Sequence, residues 1–398
     1  MLAHEGAAAH SDDDRVKRAR AALPVLQDTA YLNTGYAGPV PLPVAEAVRA
    51  ASEREIHRGR GVPGEVDVHR ERAARVRALL AALVGAMPDE IALTRSTTDG
   101  VNTALWGIDW RPGDRVVTTS LEHEGVLVPL WMVEQRGNVE VQHVDVGVGR
   151  PNETLDALEK ALRLPTRAIV VSHVAYSTGA VLPVREIVEM AHRHGALAIV
   201  DGAQSVGALP VDVKEIEADL FAFSGHKWLC GPEGLAGLYV ARPHWETLRP
   251  TYSGISSLQP VGPDPAPLVL GSGARRYELA SYYRPAVAGF EAGLAWLESF
   301  GWDWIHGQIR EVSRRAAQIL SQVPGCDALV DPDEQHGLVS FRISGVHPHV
   351  VAERLLTRGF AVRSVRSPLA LRVSTGFFNT EEELLNLHDA LVEVLRRR

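Results

Sequence analysis

The chain has 398 residues, 45% of them hydrophobic and 23% charged, with a formal net charge of -8. That length buries a large core and predicts one big domain plus a smaller one, and the negative balance excludes general nucleic-acid binding, which needs a basic surface. Two cysteines, Cys230 and Cys326, build no disulfide framework and predict a reducing cytoplasm; no apolar run is long enough for a bilayer, and MLAHEGAAAHSDDDR has neither region of a signal peptide.

Residues 1–14 read as a small, polar, acidic tail, followed by a short helix over Arg15–Leu23. Thr34-Gly35-Tyr36-Ala37-Gly38-Pro39 is turn-rich, a place where backbone can approach a ligand closely. Apolar spacing predicts helices over Pro43–Arg58 and Asp67–Val84, then a strand over Ile91–Thr94 and a helix opened by Ser96-Thr97-Thr98-Asp99-Gly100. Strands and helices then alternate. Strands are expected at Arg115–Thr119, Val139–Val144, Ala168–Ser172 and Leu197–Asp201, and helices at Gly125–Gln135, Leu155–Leu162 and Val184–His194. Continuous β-branched runs between helices imply a mostly parallel sheet covered on both faces. The alternation stops after Pro243, and a Pro/Gly-rich stretch runs to about Gly273. Helices follow at Ala286–Phe300 and Trp304–Ser321, then strands (Leu338–Ile343, Leu369–Val373) and helices (Val350–Leu356, Glu381–Leu395) suited to a small α+β domain. The expected division is a tail and short helix over 1–24 joining the small domain, a large domain over 25–280, and the small domain over 281–398.

Ligands of open α/β sheets sit beyond the carboxyl ends of the strands, and polar clusters gather there. Ser96-Thr97-Thr98 can hold a phosphate at a helix N-terminus or simply cap the helix. His123, within Glu122-His123-Glu124, is a flat partner for an aromatic ring or a surface residue. Ser172–Gly179 includes Tyr176 and Ser177. Asp201 ends a buried strand, where a carboxylate must find a cation or donors. Lysine occurs four times, and Lys17, Lys160 and Lys214 lie in charged, solvated stretches. Lys227 alone is set between two buried-looking strands, in FAFSGHKWLCGPEGLAGLY. Desolvation lowers an amine's pKa and makes it a nucleophile for imine formation; the alternative is a lysine snorkelling from a strand end. An anionic pocket, a buried acid, an aromatic-stacking candidate and an isolated lysine on one sheet edge together suggest a phosphorylated, ring-bearing cofactor held as an imine, and pyridoxal phosphate meets each clause.

VDGAQS (Val200–Ser205) and SGHKW (Ser224–Trp228) resemble the diagnostic stretches of the class V aminotransferase family of fold-type I pyridoxal-phosphate enzymes, from about Tyr31 onward. LWGIDWRPGD, SHVAYSTGAVLP, HKWLCGPEGLAGLYV, PTYSG and HGLVSF are most similar to its cysteine/cystine C–S lyase branch, related to the cysteine desulfurases. The resemblance implies an α/β fold with a seven-stranded, mostly parallel sheet covered by helices, plus a small α+β C-terminal domain. It implies that Lys227 carries the cofactor and shuttles protons, Asp201 binds the pyridine nitrogen, Gln204 the phenolic oxygen, and His123 stacks on the ring. Thr97, Thr98, Ser224 and His226 would hold the phosphate, completed by Ser281 of a second copy, so a homodimer with shared active sites is expected. Arg372 matches the arginine that grips the substrate carboxylate; Arg363 is a second candidate at the mouth or plain surface charge.

Two departures from the family pattern bear on the reaction. The loop that carries a nucleophilic cysteine in desulfurases reads VRSVRSP over Val362–Pro368, and neither Cys230, behind the lysine, nor Cys326, in a turn after Pro324-Gly325, is placed to accept sulfur. Many relatives have an asparagine near the substrate carboxylate where this chain has Tyr176 beside Ser177. The expected activity is β-elimination on a sulfur-containing amino acid, giving pyruvate, ammonia and a thiol or persulfide. The alternatives are transamination, epimerisation or desulfuration on the same scaffold, and, from another class, a catalytically inactive regulatory protein binding a phosphate ligand. Tyr36, Tyr176, the Thr251–Ser257 loop and the Arg363–Arg366 loop are expected to form the pocket's outer wall. No metal site is expected, because His192 and His194 do not share a helix face.

Overall fold

A computed structural model describes residues 11–259, 268–279 and 282–396. Seven strands form the central sheet: β1 (Ile91–Thr94), β2 (Arg115–Thr119), β3 (Glu140–Val144), β4 (Ala168–Ser172), β5 (Leu197–Asp201), β6 (Leu220–Ser224) and β7 (Ala236–Val240). Their order is β1-β7-β6-β5-β4-β2-β3, and only β7 runs antiparallel to its neighbours. Successive side chains point to opposite faces. Val116, Val170, Ile199, Ala222 and Leu238 therefore enter one core cluster, and Val117, Ile169, Val200 and Phe221 the other. Burial on both faces is why these strands read as unbroken apolar runs. Edge strand β3 departs from that rule, with Glu140 and His143 exposed.

Five strand limits agree with the sequence reading (β1, β2, β4, β5 and Leu338–Ile343), and most helices differ by a turn or less at their ends. The first helix is Asp12–Ala21, capped by Ser11, whose hydroxyl accepts from the Asp14 amide at 3.3 Å. Residues 12–14 thus belong to a helix rather than a tail, their carboxylates favoured at its positive end. No helix among the described residues is long and apolar enough to cross a membrane.

The C-terminal sheet is wholly antiparallel, in the order β10 (Arg363–Arg366), β11 (Leu369–Ser374), β9 (Leu338–Ile343), β8 (Cys326–Ala328). Two expectations are corrected here: Val362–Pro368 contains strand β10, and Cys326 opens β8 instead of lying in a turn. Helices Trp302–Leu320, Pro348–Leu356 and Glu381–Arg396 share a core with this sheet. The helix Arg284–Glu298 faces the other way, onto Leu42–Arg58 and Pro63–Leu83. Gly289 and Gly293 permit that approach, since a Cβ there would stand 2.5 Å from Val48 Cγ2 and 2.9 Å from Val44 Cγ2.

The N-terminal segment ties the two sheets together. Ala30–Tyr31 pair in parallel with Phe360–Ala361, and Asn33 bridges to Ser374. A second seam joins Val181, whose amide donates to the Glu334 carbonyl at 3.0 Å, and Ala180, which bridges to Gln335. Three buried histidines interact electrostatically in this region: His173 after β4, His306 on Trp302–Leu320, and His336 before β9. Each leaves one ring nitrogen without a partner among the described residues.

Candidate active site

A cavity of about 200 Å³ opens at the carboxyl edge of the central sheet. It is lined by Tyr36, Thr97, Thr98, His123, Tyr176, Asp201, Gln204, Ser224, His226, Lys227, Arg363 and Arg372, twelve of the positions singled out from sequence. Ser177 is fully buried and does not line it, and Ser281 lies outside the described residues.

Parallel register sets Asp201, the last residue of β5, beside Ser172, the last of β4, and Ala222 in the middle of β6. Asp201 Oδ1 accepts from the Ala203 amide at 2.8 Å, and no described residue donates to Oδ2. Burial raises the Asp201 pKa, against the pull of Lys227 and the Ala203 amide. Lys227 follows β6 by three residues, and its amine makes no hydrogen bond or ion pair with any described residue. Burial pushes that amine down to about 8, aided by Arg372 and Arg363 and opposed by Asp201. Such an amine is partly unprotonated near neutral pH, as a nucleophile or base must be.

The loop bearing Lys227 is clamped from the N-terminal turn. The Gly38 amide donates to the His226 carbonyl at 2.8 Å, and a Cβ on Gly38 would stand 2.1 Å from the Lys227 carbonyl oxygen. The close backbone approach expected of this turn is thus made to the lysine loop. Gln204 reinforces the clamp: its Nε2 donates to the Gly35 carbonyl at 2.8 Å and its Oε1 accepts from Trp228 Nε1 at 2.9 Å. One N–H of the amide remains for a ligand.

Ser96 is the N-cap of Thr97–Gly107, its hydroxyl accepting from the Asp99 amide at 3.1 Å. Thr97 and Ser224 pair through their hydroxyls at 2.7 Å. Capping and anion binding are compatible here, since one cap leaves other N-terminal amides open. The N-terminus of Glu124–Gly137 abuts this one, and a Cβ at Gly125 would stand 2.5 Å from Thr98 Oγ1.

His123 caps that second helix, which sequence reading missed. Its Nδ1 accepts from the Gly125 amide at 2.9 Å, so the ring's proton belongs on Nε2. Burial and the charge of Lys227 push its pKa down to about 4, keeping the imidazole neutral. The ring meets Tyr176 edge-on, centroids 4.8 Å apart. The neighbouring Glu122 was also unassigned. It accepts from Thr119 Oγ1 at 2.6 Å, Ser172 Oγ at 2.6 Å and the Ser172 amide at 3.1 Å. Burial, with Asp201 nearby, still pushes it up to about 7 against those hydrogen bonds. The sequence signal was present: an acid directly before a site histidine and after a buried strand.

Arg372 comes from β11 and is almost completely buried. Its Nη1 donates to the Tyr176 carbonyl at 2.8 Å, while Nε and Nη2 have no partner among the described residues. Nε and Nη2 form one edge of the guanidinium fork, the geometry that takes a carboxylate bidentately. Arg363, its cross-strand partner, lies over the Tyr36 ring with Cζ 4.3 Å from the centroid. Both cysteines are buried, and burial pushes each thiol up to about 12. Neither lines the cavity.

An unengaged amine, a buried acid and a hydroxyl-rich helix N-terminus at the strand ends of a seven-stranded α/β sheet define an enzyme site of the kind that carries a cofactor covalently. The chain belongs to the class V aminotransferase family, whose model matches residues 34–387. It is 31% identical to a probable cysteine desulfurase of Methanothermobacter thermautotrophicus, over 96% of this chain and 98% of that protein. A probable cysteine desulfurase of Halalkalibacterium halodurans is also 31% identical, over 92% of each chain. Among solved structures, the cystine C–S lyase C-DES in complex with its reaction product cysteine persulfide superposes with a TM-score of 0.89 at 29% identity, over 93% of this chain and 99% of that one. A C-DES mutant with glycine covalently linked to its PLP cofactor gives a TM-score of 0.90 at 29% identity, over 94% and 99%.

Proposed function

We propose that this enzyme is a pyridoxal-phosphate-dependent carbon–sulfur lyase that eliminates the sulfur substituent of cysteine, cystine or a cysteine S-conjugate. Products are a thiol or persulfide, pyruvate and ammonia. The open donors of the cavity suit the cofactor: the Lys227 amine for its aldehyde, Asp201 Oδ2 for its ring nitrogen, and the Thr97–Thr98 turn with Ser224 and His226 for its phosphate. When bound, the cofactor withdraws the electron pair released at the substrate Cα. Lys227 Nζ, its pKa held to about 8, takes the Cα proton. Arg372 holds the α-carboxylate through Nε and Nη2, which have no partner among the described residues. His123 is kept neutral, so it covers an aromatic ring without adding charge. Glu122 holds the end of β4, and with it the neighbour of Asp201, through Ser172.

The observation that carries elimination over desulfuration is the state of the thiols. Cys230 and Cys326 are buried, protonated and outside the cavity, so no thiolate is available to take a sulfur atom. Sulfur then departs with the leaving group. Incubation with cysteine, cystine and S-alkylcysteines, followed by assay of pyruvate, alanine and sulfide, tests this. Pyruvate matching the thiol or persulfide released supports elimination. Alanine with protein-bound persulfide, or an amino-group loss that depends on a 2-oxo acid, overturns it.

A homodimer is part of the same proposal. Tyr252 and Tyr283 line one cavity, and with Ile255, Leu268 and Val269 they are exposed apolar side chains for a second copy to cover. The two free thiols suit a cytoplasmic setting.

A further inference from the structure

Asp201 and Glu122 are both buried at the carboxyl edge of the central sheet. Glu122 is bonded to Ser172, and Ser172 is the register partner of Asp201, so a single residue separates the two acids across the sheet. Their surroundings differ in kind. Asp201 has the Lys227 amine nearby, which favours its anion, and a backbone donor on Oδ1. Glu122 is met by two hydroxyls and one amide, and makes no ion pair with any described residue. Asp201 adds to the cost of ionising it. A buried pair of this kind keeps one charge, and the surroundings decide which acid holds it. The other titratable groups on the adjoining segments are His123 and His173, both held neutral, and Glu124, which lies 3.5 Å from His123 Nε2.

The contacts of Glu122 are also unequal. Oε1 meets two donors, the Thr119 hydroxyl at 2.6 Å and the Ser172 amide at 3.1 Å. Oε2 meets the Ser172 hydroxyl alone, at 2.6 Å. That arrangement suits a carboxylic acid: a carbonyl oxygen taking two donors, and a hydroxyl oxygen facing one group able to accept. Thr119 is committed to donating, because its oxygen already accepts from the Leu121 amide at 3.2 Å. The Ser172 oxygen accepts from no described residue, and a hydroxyl rotates, so the contact can run from Glu122 to Ser172. The Ser172 hydrogen is then released, and Ser172 lines the cavity. Burial holds Glu122 at about 7 despite its three hydrogen bonds. A bound phosphorylated cofactor excludes water and adds negative charge, and both favour the neutral acid further.

We propose that Glu122 is a positioning residue that keeps the pair's proton and donates it to Ser172 Oγ, so that Asp201 stays the anion facing the cofactor's ring nitrogen and the Ser172 hydroxyl turns to the cavity. This rests on the placement of that nitrogen at Asp201 proposed above, and holds whether or not the reaction is elimination.

Infrared spectroscopy of the holoenzyme at pH 8 reads the proton directly. The wild-type minus Glu122→Gln difference should show the carbonyl stretch of a buried carboxylic acid. Ser172→Ala keeps the acid but removes its acceptor, so the same band should move to higher frequency. Pyridoxal phosphate binding to the cofactor-free proteins, followed by tryptophan fluorescence, reads the consequence. Glu122→Gln is neutral at every pH and should bind about as tightly as the parent at pH 6.5. At pH 8 the parent must first recover a proton lost near 7, so its affinity should be about tenfold weaker relative to the variant. A merely structural role would separate the two profiles by one factor at every pH. No acid band at pH 8, a band unmoved in Ser172→Ala, or the same affinity ratio at both pH values overturns the proposal. If Asp201→Asn binds pyridoxal phosphate as tightly as the parent, the placement of the ring nitrogen fails and the proposal with it; a weakened Asp201→Asn with parallel profiles for Glu122→Gln overturns the proposal alone.

Discussion

Acidification should loosen this protein through His173, His306 and His336. Each is buried and held neutral: burial pushes His173 and His306 down to about 4, and His336 to about 3, from the ordinary 6.5. Asp303 opposes the shift at His306, and Arg310 adds to that at His336. Between the folded and unfolded values the unfolded chain binds more protons, so stability is full above pH 6.5 and declines as pH falls. Going from pH 7 to pH 5 costs about 2 kcal/mol per histidine, hence about 6 kcal/mol for the three. Glu122 acts oppositely. Its folded pKa of about 7 exceeds the ordinary 4.5, so its charged form strains the fold at high pH and protonation relieves about 2 kcal/mol over the same interval. Asp201 shifts in the direction of Glu122, and the part-exposed His123 and His226 in that of the trio. The net loss, about 4 kcal/mol, is a large share of the ~5–15 kcal/mol typical of folded proteins. Urea unfolding followed by tryptophan fluorescence at pH 7 and pH 5 measures it. His336→Gln should shrink the difference between the two pH values by about 2 kcal/mol, and Glu122→Gln should enlarge it by as much. A wild-type protein equally stable at both pH values, or a His336→Gln variant with the parental pH difference, would refute the reasoning.

Other consequences can be measured directly. Arg372→Lys keeps the charge but loses the two-donor edge, so KM for the amino acid should rise roughly 10- to 100-fold, the worth of a charge-assisted bond. Gly38→Ala forces a Cβ to within 2.1 Å of the Lys227 carbonyl, so the lysine loop must shift. Turnover should drop at least tenfold in steady-state assays while far-UV circular dichroism is retained. Arg77→Ala strands the buried Glu278, which Arg77 meets at 2.7 Å and which also accepts from the Leu93 amide at 2.9 Å. A loss of about 3–5 kcal/mol in chemical denaturation is expected.

The central sheet was legible because its strands, edge strand β3 apart, are buried on both faces and read as short apolar runs. β10 was not, because RSVR is charged at both ends and is followed by Ser367-Pro368, the pattern of an exposed loop as much as of an edge strand. Lys227, Asp201 and the hydroxyls of Ser96–Thr98 could be found because strand ends converge on one edge of such a sheet whatever the details. Contacts between distant stretches could not. Nothing local in Gly38 announces the Lys227 carbonyl, nothing in Arg363 announces the ring of Tyr36, and the capping of a helix by His123 needs the backbone to be seen. Ser177 shows the converse error: a hydroxyl next to a lining residue turned into the core.

The pairing of Ala30–Tyr31 with Phe360–Ala361, and of Asn33 with Ser374, has a consequence for biosynthesis. The turn that braces the lysine loop is anchored at its other end to a segment made more than three hundred residues later. A ribosome-bound chain can therefore assemble its parallel sheet early, but it closes the strap over the lysine only once residues 360–374 have been made. Such distant partners come together slowly, so competence to hold a cofactor should lag behind collapse of the sheet, and chains truncated before residue 360 should lack it.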